Sequence, residues 1–552
     1  MSGANSPLYK YTRTWIDPQF DKSKPIFFDT ETLGLGGKTR LVQIRQNNTT
    51  IIYDCFFVSI EDIKYYLKDS ILVAHNIHYD LSCIDFQKWI SKEIHDTMFM
   101  AKLVYPYLES FSLKSCLNSL GLDKGDEGAS DWSKVLTEEQ LKYASYDVEG
   151  LEELYNRMLA KTDILNDYNY KLDMLSIRYA LNYQLIGMPV DKKILRSYKM
   201  SKNKELTKIY STLPQGLNIN SSKQVSSYLN TESANAQTLR DIVLLQKPMH
   251  EQASLILGAK KLDKQLNFLE KFSHDDRIYG FFVPSMAKSG RWTCKSLPGA
   301  NQHSQNLQQL PRDLKPVLGY DESDSRWFAD ADYPSLELYC MAAVVGEDIM
   351  ANMLKDGIDL HKYSASIIYN VNMDDVTKYQ RQIGKTANFG LGYGGGAQMY
   401  LEFVKQMAGI VLTIEEATDI RQKWLDTYPT VKRWHENIKK KIFRNDYMIV
   451  ETPLGRRMRA NTLNDALNLP IQGAGSECTK LAIHYLYQEI PDVRIANTVH
   501  DSITLECDNE EQAKEQGEIL ARCMEKGWSE MNKMMKVQIP MKVEFDVVKH
   551  YG

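Results

Sequence analysis

The 552-residue chain has no Cys-x-x-Cys pair, and its eight cysteines (55, 83, 116, 294, 340, 478, 507, 523) are scattered. Neither a zinc site nor a disulfide framework follows, which leaves the reduced thiols of a cytoplasmic protein. No apolar run reaches the roughly 18 residues that a bilayer-spanning helix needs. The first twenty residues have no continuous apolar core behind a basic start, so no secretion signal is visible. Excess charge of one sign is also missing, with 67 Lys and Arg against 71 Asp and Glu. There is no internal repeat and no long low-complexity tract. A composition of 43% hydrophobic and 25% charged residues excludes a disordered or fibrous chain. A soluble protein is expected, with three or four domains at roughly 100–200 residues each.

Charge is nevertheless uneven. Arg421 to Ala460 holds eleven Lys/Arg against four Asp/Glu, a net of 11 − 4 = +7. Taken alone, such a stretch reads as a solvated helix face. The first 160 residues alternate strands and helices. Strands are predicted at 25–31, 40–46, 51–57 and 71–76, and a helix at 137–159. Long amphipathic helices fill 165–285, interrupted at 213–222. Further strands are predicted at 326–333, 447–452 and 494–507, with helical periodicity over 373–445.

Asp29 and Glu31 lie two apart on a predicted strand and so share a face. Two carboxylates placed together repel unless a cation sits between them. For this pair alone, a metal site and a solvated strand end are equal readings. Asn76 and Asp80 are four apart, one turn along a predicted helix, and Tyr143 and Asp147 repeat that spacing. His75, His78 and His95 read as structural or exposed rather than as ligands. The ordered set Asp-x-Glu, Asn-x-x-x-Asp, Tyr-x-x-x-Asp, with the HDTM segment at 95–98, resembles the exonuclease motifs of the DEDD superfamily in its Tyr-containing version. That resemblance implies a ribonuclease H-like fold. It also implies that Asp29, Glu31, Asp80 and Asp147 hold two divalent ions while Tyr143 orients the attacking water. Oxygen ligands suit Mg²⁺, with Mn²⁺ able to substitute.

A second pair lies further on. Asp332 ends the strand RWFADAD, Pro334 is expected in the first turn of the next helix, and Glu337 follows early in it. His500 and Asp501 fall in the middle of a predicted hairpin; alone, they read as a buried structural pair. Between these segments, Arg381, Lys385 and Phe389 recur every four residues along one helix face, ahead of a GLGYGGG run that ends the helix. Two cations and a ring in a row can bind a triphosphate and stack on a base.

These three segments, in this order, resemble motifs A, B and C of family A DNA polymerases, the class of bacterial polymerase I and phage enzymes. NINSSKQ (218–224), KSGR (288–291), NLQQLPR (306–312), VETPLGRR (450–457) and NLPIQG (468–473) resemble the family as well. The resemblance implies an α/β multidomain fold, with a ribonuclease H-like 3'-5' exonuclease domain (1–165) followed by a right-hand polymerase. The polymerase would comprise linker and thumb (166–285), palm (286–350 and 447–552) and fingers (351–446). Asp332 and Asp501 would hold two catalytic Mg²⁺ ions. Arg381 and Lys385 would contact the dNTP triphosphate, Phe389 and Tyr393 would line the nucleotide pocket, and Glu337 would exclude a ribose 2'-hydroxyl. Arg291, Asn468, Gln472 and His500 would touch primer-template DNA, and part of the cationic stretch would meet the duplex backbone.

The same resemblance implies a monomeric, phage-like replicative enzyme of the (host) cytoplasm, with no membrane partner and with accessory replication proteins as possible partners. No 5'-nuclease domain is expected ahead of the exonuclease. The sequence departs from the family pattern at Pro334, Ser335, Tyr339 and Ser502, and the stretch from Arg291 to Asn306 is longer than usual. Two rivals remain at this point: a single-subunit RNA polymerase, opposed by Glu337 and the exonuclease set, and a nuclease whose second half only holds DNA.

Overall fold

The computed structural model describes residues 9–84, 92–122, 131–296, 304–444 and 446–552, apart from the side chain of Tyr183. Residues 297–303, within the long stretch from Arg291 to Asn306, lie outside the described residues. Among the described residues, no helix is long and apolar enough to cross a membrane.

The N-terminal unit is built on a six-stranded sheet. From one edge to the other it runs Tyr9–Thr12, Thr49–Asp54, Thr39–Gln46, Pro25–Thr32, Ile71–Ala74 and Glu93–Asp96. The three central strands from Pro25 to Asp54 form an antiparallel meander, and the outer ones pair in parallel. Asn47 and Asn48, both at positive φ, make the tight turn between two of the meander strands, as the right-handed strand twist favours. Helix Glu138–Lys161 starts with a Thr137–Gln140 capping box and packs its buried Leu151, Leu154 and Met158 on the sheet core of Ile26, Phe28, Ile44 and Leu72.

A second sheet of four antiparallel strands has the order Ile495–Val499, Ser502–Cys507, Trp327–Asp332, Phe545–Val548. Helix Glu510–Asn532 covers it, and helix Leu463–Glu489 packs on that helix. A helical arm precedes it, with two long helices (Lys192–Thr212 and His250–Lys271) and two short ones (Ser222–Leu229 and Ala236–Leu244) around its own small apolar core. Six helices between Asp348 and Ile442 form a further group that packs on helices Leu336–Val345 and Leu463–Glu489.

Most predicted elements are present, and the differences have local causes. The strand begun at Thr49 stops at Asp54, because Asp54 accepts the amides of Phe57 and Val58 and turns the chain. The periodicity over 373–445 divides into four helices, Lys378–Gly392, Ala397–Ala408, Ile414–Thr427 and Pro429–Ile442, punctuated by Gly394, Gly409 and Pro429. Asn76 is not within a helix but caps one at φ 70°, with Asp80 inside Ile77–Cys83. Pro334 lies outside the following helix, which begins at Leu336 after Ser335 adopts φ 52°. Strands Tyr9–Thr12, Glu93–Asp96 and Phe545–Val548 were not expected, since four residues carry too little periodicity to distinguish them from loop.

A buried ion network joins the N-terminal unit to the rest. Asp173, on helix Tyr168–Tyr183, takes two hydrogen bonds from Arg456 at 2.9 and 3.0 Å and one from Lys480 at 2.9 Å. Glu477, one turn before Lys480, accepts from Arg456 and Thr452. All four charged groups are fully buried. Burial would raise the Asp173 carboxyl, but the Arg456 and Lys480 charges outweigh it and hold it below the usual range. Removing one member of such a set leaves uncompensated charge, at a cost of about 3–5 kcal/mol. Asp173→Asn is therefore expected to lower the unfolding midpoint in urea by an amount equivalent to at least about 3 kcal/mol. A shift below about 1 kcal/mol would mean that water or a rearranged partner replaces Asp173.

Candidate active sites

The first site sits toward the end of strand Pro25–Thr32. Asp29, Glu31 and Asp147 each offer an oxygen within 4.8 Å of the others, the one such cluster among the described residues. Strand alternation aims Asp29 and Glu31 to one side, and helix Glu138–Lys161 lays Asp147 over them. Gln43, on the neighbouring strand, donates to Asp29 Oδ2 at 3.1 Å. Tyr143, one helical turn before Asp147, packs on Leu41, Ile52 and Trp132. Three carboxylates at this spacing suit a hard divalent ion.

Asp80 stands apart from that trio. Its Oδ1 accepts from Thr30 N at 3.1 Å and Thr30 Oγ1 at 2.7 Å. It still faces the cluster: burial first, and the Asp29 charge second, push its carboxyl well above the usual range. Asp96, in the HDTM segment, accepts from Met98 and Phe99 of its own helix and from Asn76 and Ile77 at the start of the Asp80 helix. It thereby fixes Asp80's approach, a role that motif spacing alone did not reveal. His75 bridges Thr97 and the Phe111 carbonyl, and His95 meets the Tyr170 hydroxyl at 3.0 Å, so these two rings are structural. His78 is buried against Phe281.

The second site lies on the four-stranded sheet. Asp332 pairs with Ser502 in the antiparallel ladder, which sets it beside Asp501 at the hairpin turn, and Tyr333 N donates to Asp501 O at 3.4 Å. Burial, then the Asp501 and Asp330 charges, push the Asp332 carboxyl up to about 7. Asp501 is also raised, by burial. Two carboxylates driven toward neutrality at one spot fit a site that a divalent cation completes. His500 shares the turn at φ 58°, but it is exposed, not buried as read from its neighbours, because the turn carries it out of the sheet.

Glu337, in the first turn of helix Leu336–Val345, meets Arg291 at 2.6 Å and the Tyr393 hydroxyl at 2.9 Å. These three came from separate motifs, and no spacing announced that they hold one another. Arg381, Lys385 and Phe389 share the open face of helix Lys378–Gly392, while Ile383, Ala387 and Leu391 are buried on the other. That helix lies so close to Leu360–Tyr369 that a Cβ at Gly384 would be 2.2 Å from the His361 carbonyl oxygen, so only glycine fits. Arg381 pairs with Asp359 at 2.8 Å, Lys385 is exposed, and Phe389 tilts against His361 at 5.7 Å. Asn468 and Gln472 lie four apart and half-buried on helix Leu463–Glu489, with Asn468 Oδ1 finding no partner among the described residues.

The departures from the family pattern are accommodated locally. Tyr339 packs edge-on to Trp528 at 5.6 Å, and Ser502 Oγ closes the hairpin on the Val499 carbonyl. Part of the cationic stretch is structural: Arg456 belongs to the buried network, Lys432 pairs with Asp426, and Arg459 pairs with Glu109 across to the N-terminal unit.

Comparison with known proteins matches residues 192–552 to the family described as DNA polymerase family A and residues 18–163 to the family described as 3'-5' exonuclease. The chain is 30% identical to DNA polymerase I of Aquifex aeolicus (strain VF5), over 95% of both proteins. It is 31% identical to the DNA polymerase of Mycobacterium phage D29, over 46% of this chain and 40% of that one. The solved POL domain of Pol1 from M. smegmatis, in complex with DNA primer-template and dNTP, superposes with a TM-score of 0.72 over 95% of both chains. At 19% identity, that likeness speaks for the fold. With a family match over most of its length and a relative similar from end to end, the chain belongs to DNA polymerase family A and carries a 3'-5' exonuclease domain ahead of the polymerase.

Proposed function

We propose that Asp332 and Asp501 are the nucleotidyl-transfer site of this DNA-directed DNA polymerase, and that Asp29, Glu31, Asp80, Asp147 and Tyr143 are its proofreading site. The observation that carries the reading is the meeting of Asp332 and Asp501, from distant segments, at one end of the paired strands Trp327–Asp332 and Ser502–Cys507. The four-stranded sheet is then the palm, the arm from Lys192 to Lys271 the thumb, and the helices between Asp348 and Ile442 the fingers.

Both sites are oxygen-rich and suit Mg²⁺, with Mn²⁺ as a substitute. Bound divalent ions would supply the Lewis acidity that both phosphodiester reactions need. The protein's own groups do the positioning. Lys385, and Arg381 once it leaves Asp359, bind the triphosphate oxygens of a dNTP and stabilise charge on the departing pyrophosphate. Phe389 and Tyr393 line the base and sugar pocket. Glu337, pinned by Arg291 and Tyr393, stands where a ribose 2'-hydroxyl would project. Asn468, Gln472, His500 and Arg291 face the primer-template, with exposed cations of the 421–460 stretch meeting backbone phosphates. A mispaired primer end frays readily, and its single strand then reaches the carboxylate cluster. Replication of a phage genome, in the cytoplasm of its host, is the role that suits this combination.

A labelled primer on a DNA template with Mg²⁺ should lengthen with all four dNTPs and shorten without them, and chelation should stop both. Asp501→Ala should lower extension more than about a hundredfold and spare shortening, while Asp29→Ala should do the reverse. Shortening in both conditions, with no extension even by Asp29→Ala, would leave the nuclease-scaffold reading in its place. Glu337→Ala should raise ribonucleotide incorporation by at least about tenfold, roughly 1.4 kcal/mol of lost exclusion. Unchanged sugar discrimination in that variant would remove Glu337 from its role. With Phe389 in the pocket, dideoxynucleotides should be used poorly; incorporation nearly equal to that of normal dNTPs would refute this.

A further inference from the structure

The thumb and fingers touch. Asp241, on thumb helix Ala236–Leu244, pairs with Lys405 of fingers helix Ala397–Ala408 at 2.7 Å. The Lys405 side chain is 10% exposed and that of Asp241 29%, so the pair sits within a contact. Gln237 donates to the same Asp241 oxygen at 2.9 Å. Leu244 Cδ2 lies 3.6 Å from where a Cβ would stand on Gly409, the residue that ends the fingers helix.

Both arms are rooted in one apolar core. Leu195, Leu269 and Phe272 from the thumb's long helices, and Tyr400, Val404 and Trp424 from the fingers, belong to the same cluster as Phe328 and Ile503 of the palm sheet. The thumb's outer helices have a separate core containing Val225, Leu239 and Ile256. Palm, thumb, contact and fingers therefore form a closed circuit. The thumb's long helices, of 21 and 22 residues, span about 32 Å.

We propose that the Asp241–Lys405 contact latches thumb to fingers and encloses double-stranded primer-template during synthesis. The proposal rests on the polymerase reading of Asp332 and Asp501. A partly exposed ion pair such as Asp241–Lys405 is weak enough to open for loading. Once it closes, lateral escape of the duplex requires that it reopen, so the number of nucleotides added per binding event rises.

The test is extension of a primed single-stranded circle with a heparin trap, so that each product reports one binding event. Asp241→Lys and Lys405→Asp should each shorten products by at least about twofold, and the double swap should restore them. Unchanged lengths in the single variants, or a double swap no better than either, would overturn the latch. A second measurement uses Asp241→Cys with Lys405→Cys in a Cys83→Ser background, the remaining cysteines being buried. Joined by a flexible bis-maleimide after loading, this protein should persist in the trap on a circle and slide off a short linear template. Equal loss from both templates would rule out enclosure. Extension without trap is the control on the premise: its absence in the parent protein would tell against the polymerase reading, whereas its presence with uniformly short products tells against the latch alone.

Discussion

The polymerase half is organised by the antiparallel pairing of Trp327–Asp332 with Ser502–Cys507. This register brings Asp332 to Ser502 and hence to Asp501, and a slip of one residue would turn Asp332 to the opposite face of the sheet. The pairing is paid in electrostatic strain, since burial and the neighbouring carboxylates raise both acids. Helix Glu510–Asn532, backed by Leu463–Glu489, covers the sheet with apolar side chains and keeps it in place despite that cost. A site that is strained without a cation and relieved by one is suited to binding divalent metal.

The exonuclease half solves the same problem differently. Asp29, Glu31 and Asp147 converge, while Asp80 turns to the Thr30 amide and hydroxyl and stays out of the cluster. The two hydrogen bonds from Thr30 offset part of the repulsion that Asp80 feels from Asp29. Asp96, by taking four backbone amides, locks the start of the Asp80 helix and so sets how far that carboxylate can move.

The two halves are joined through polar contacts deep in the protein. Asp173 belongs to the helix that follows the exonuclease domain, whereas Arg456, Glu477 and Lys480 lie in the polymerase family region. Such a network contributes less to net stability than an apolar core of equal volume, but it tolerates few alternative arrangements because every member must stay paired. It holds the helix after the exonuclease domain in one position against the polymerase half.

Much of this was legible in the sequence because its signals are local. Asp29 and Glu31 share a face through the two-residue period of a strand, and Arg381, Lys385 and Phe389 share one through the helical period. The Asn47–Asn48 turn and the helix start at Thr137 were legible for the same reason. Local period could not say that Pro334 stays outside its helix, that His500 projects into solvent, or that Asp80 turns to Thr30. Nor could it pair Glu337 with Arg291 and Tyr393, Arg381 with Asp359, or Asp173 with Arg456 and Lys480. The elements and the order of the motifs were thus determined by the sequence itself. The pairings were decided only by the tertiary structure, because each depends on which distant group excludes water from a charge and offers it a partner.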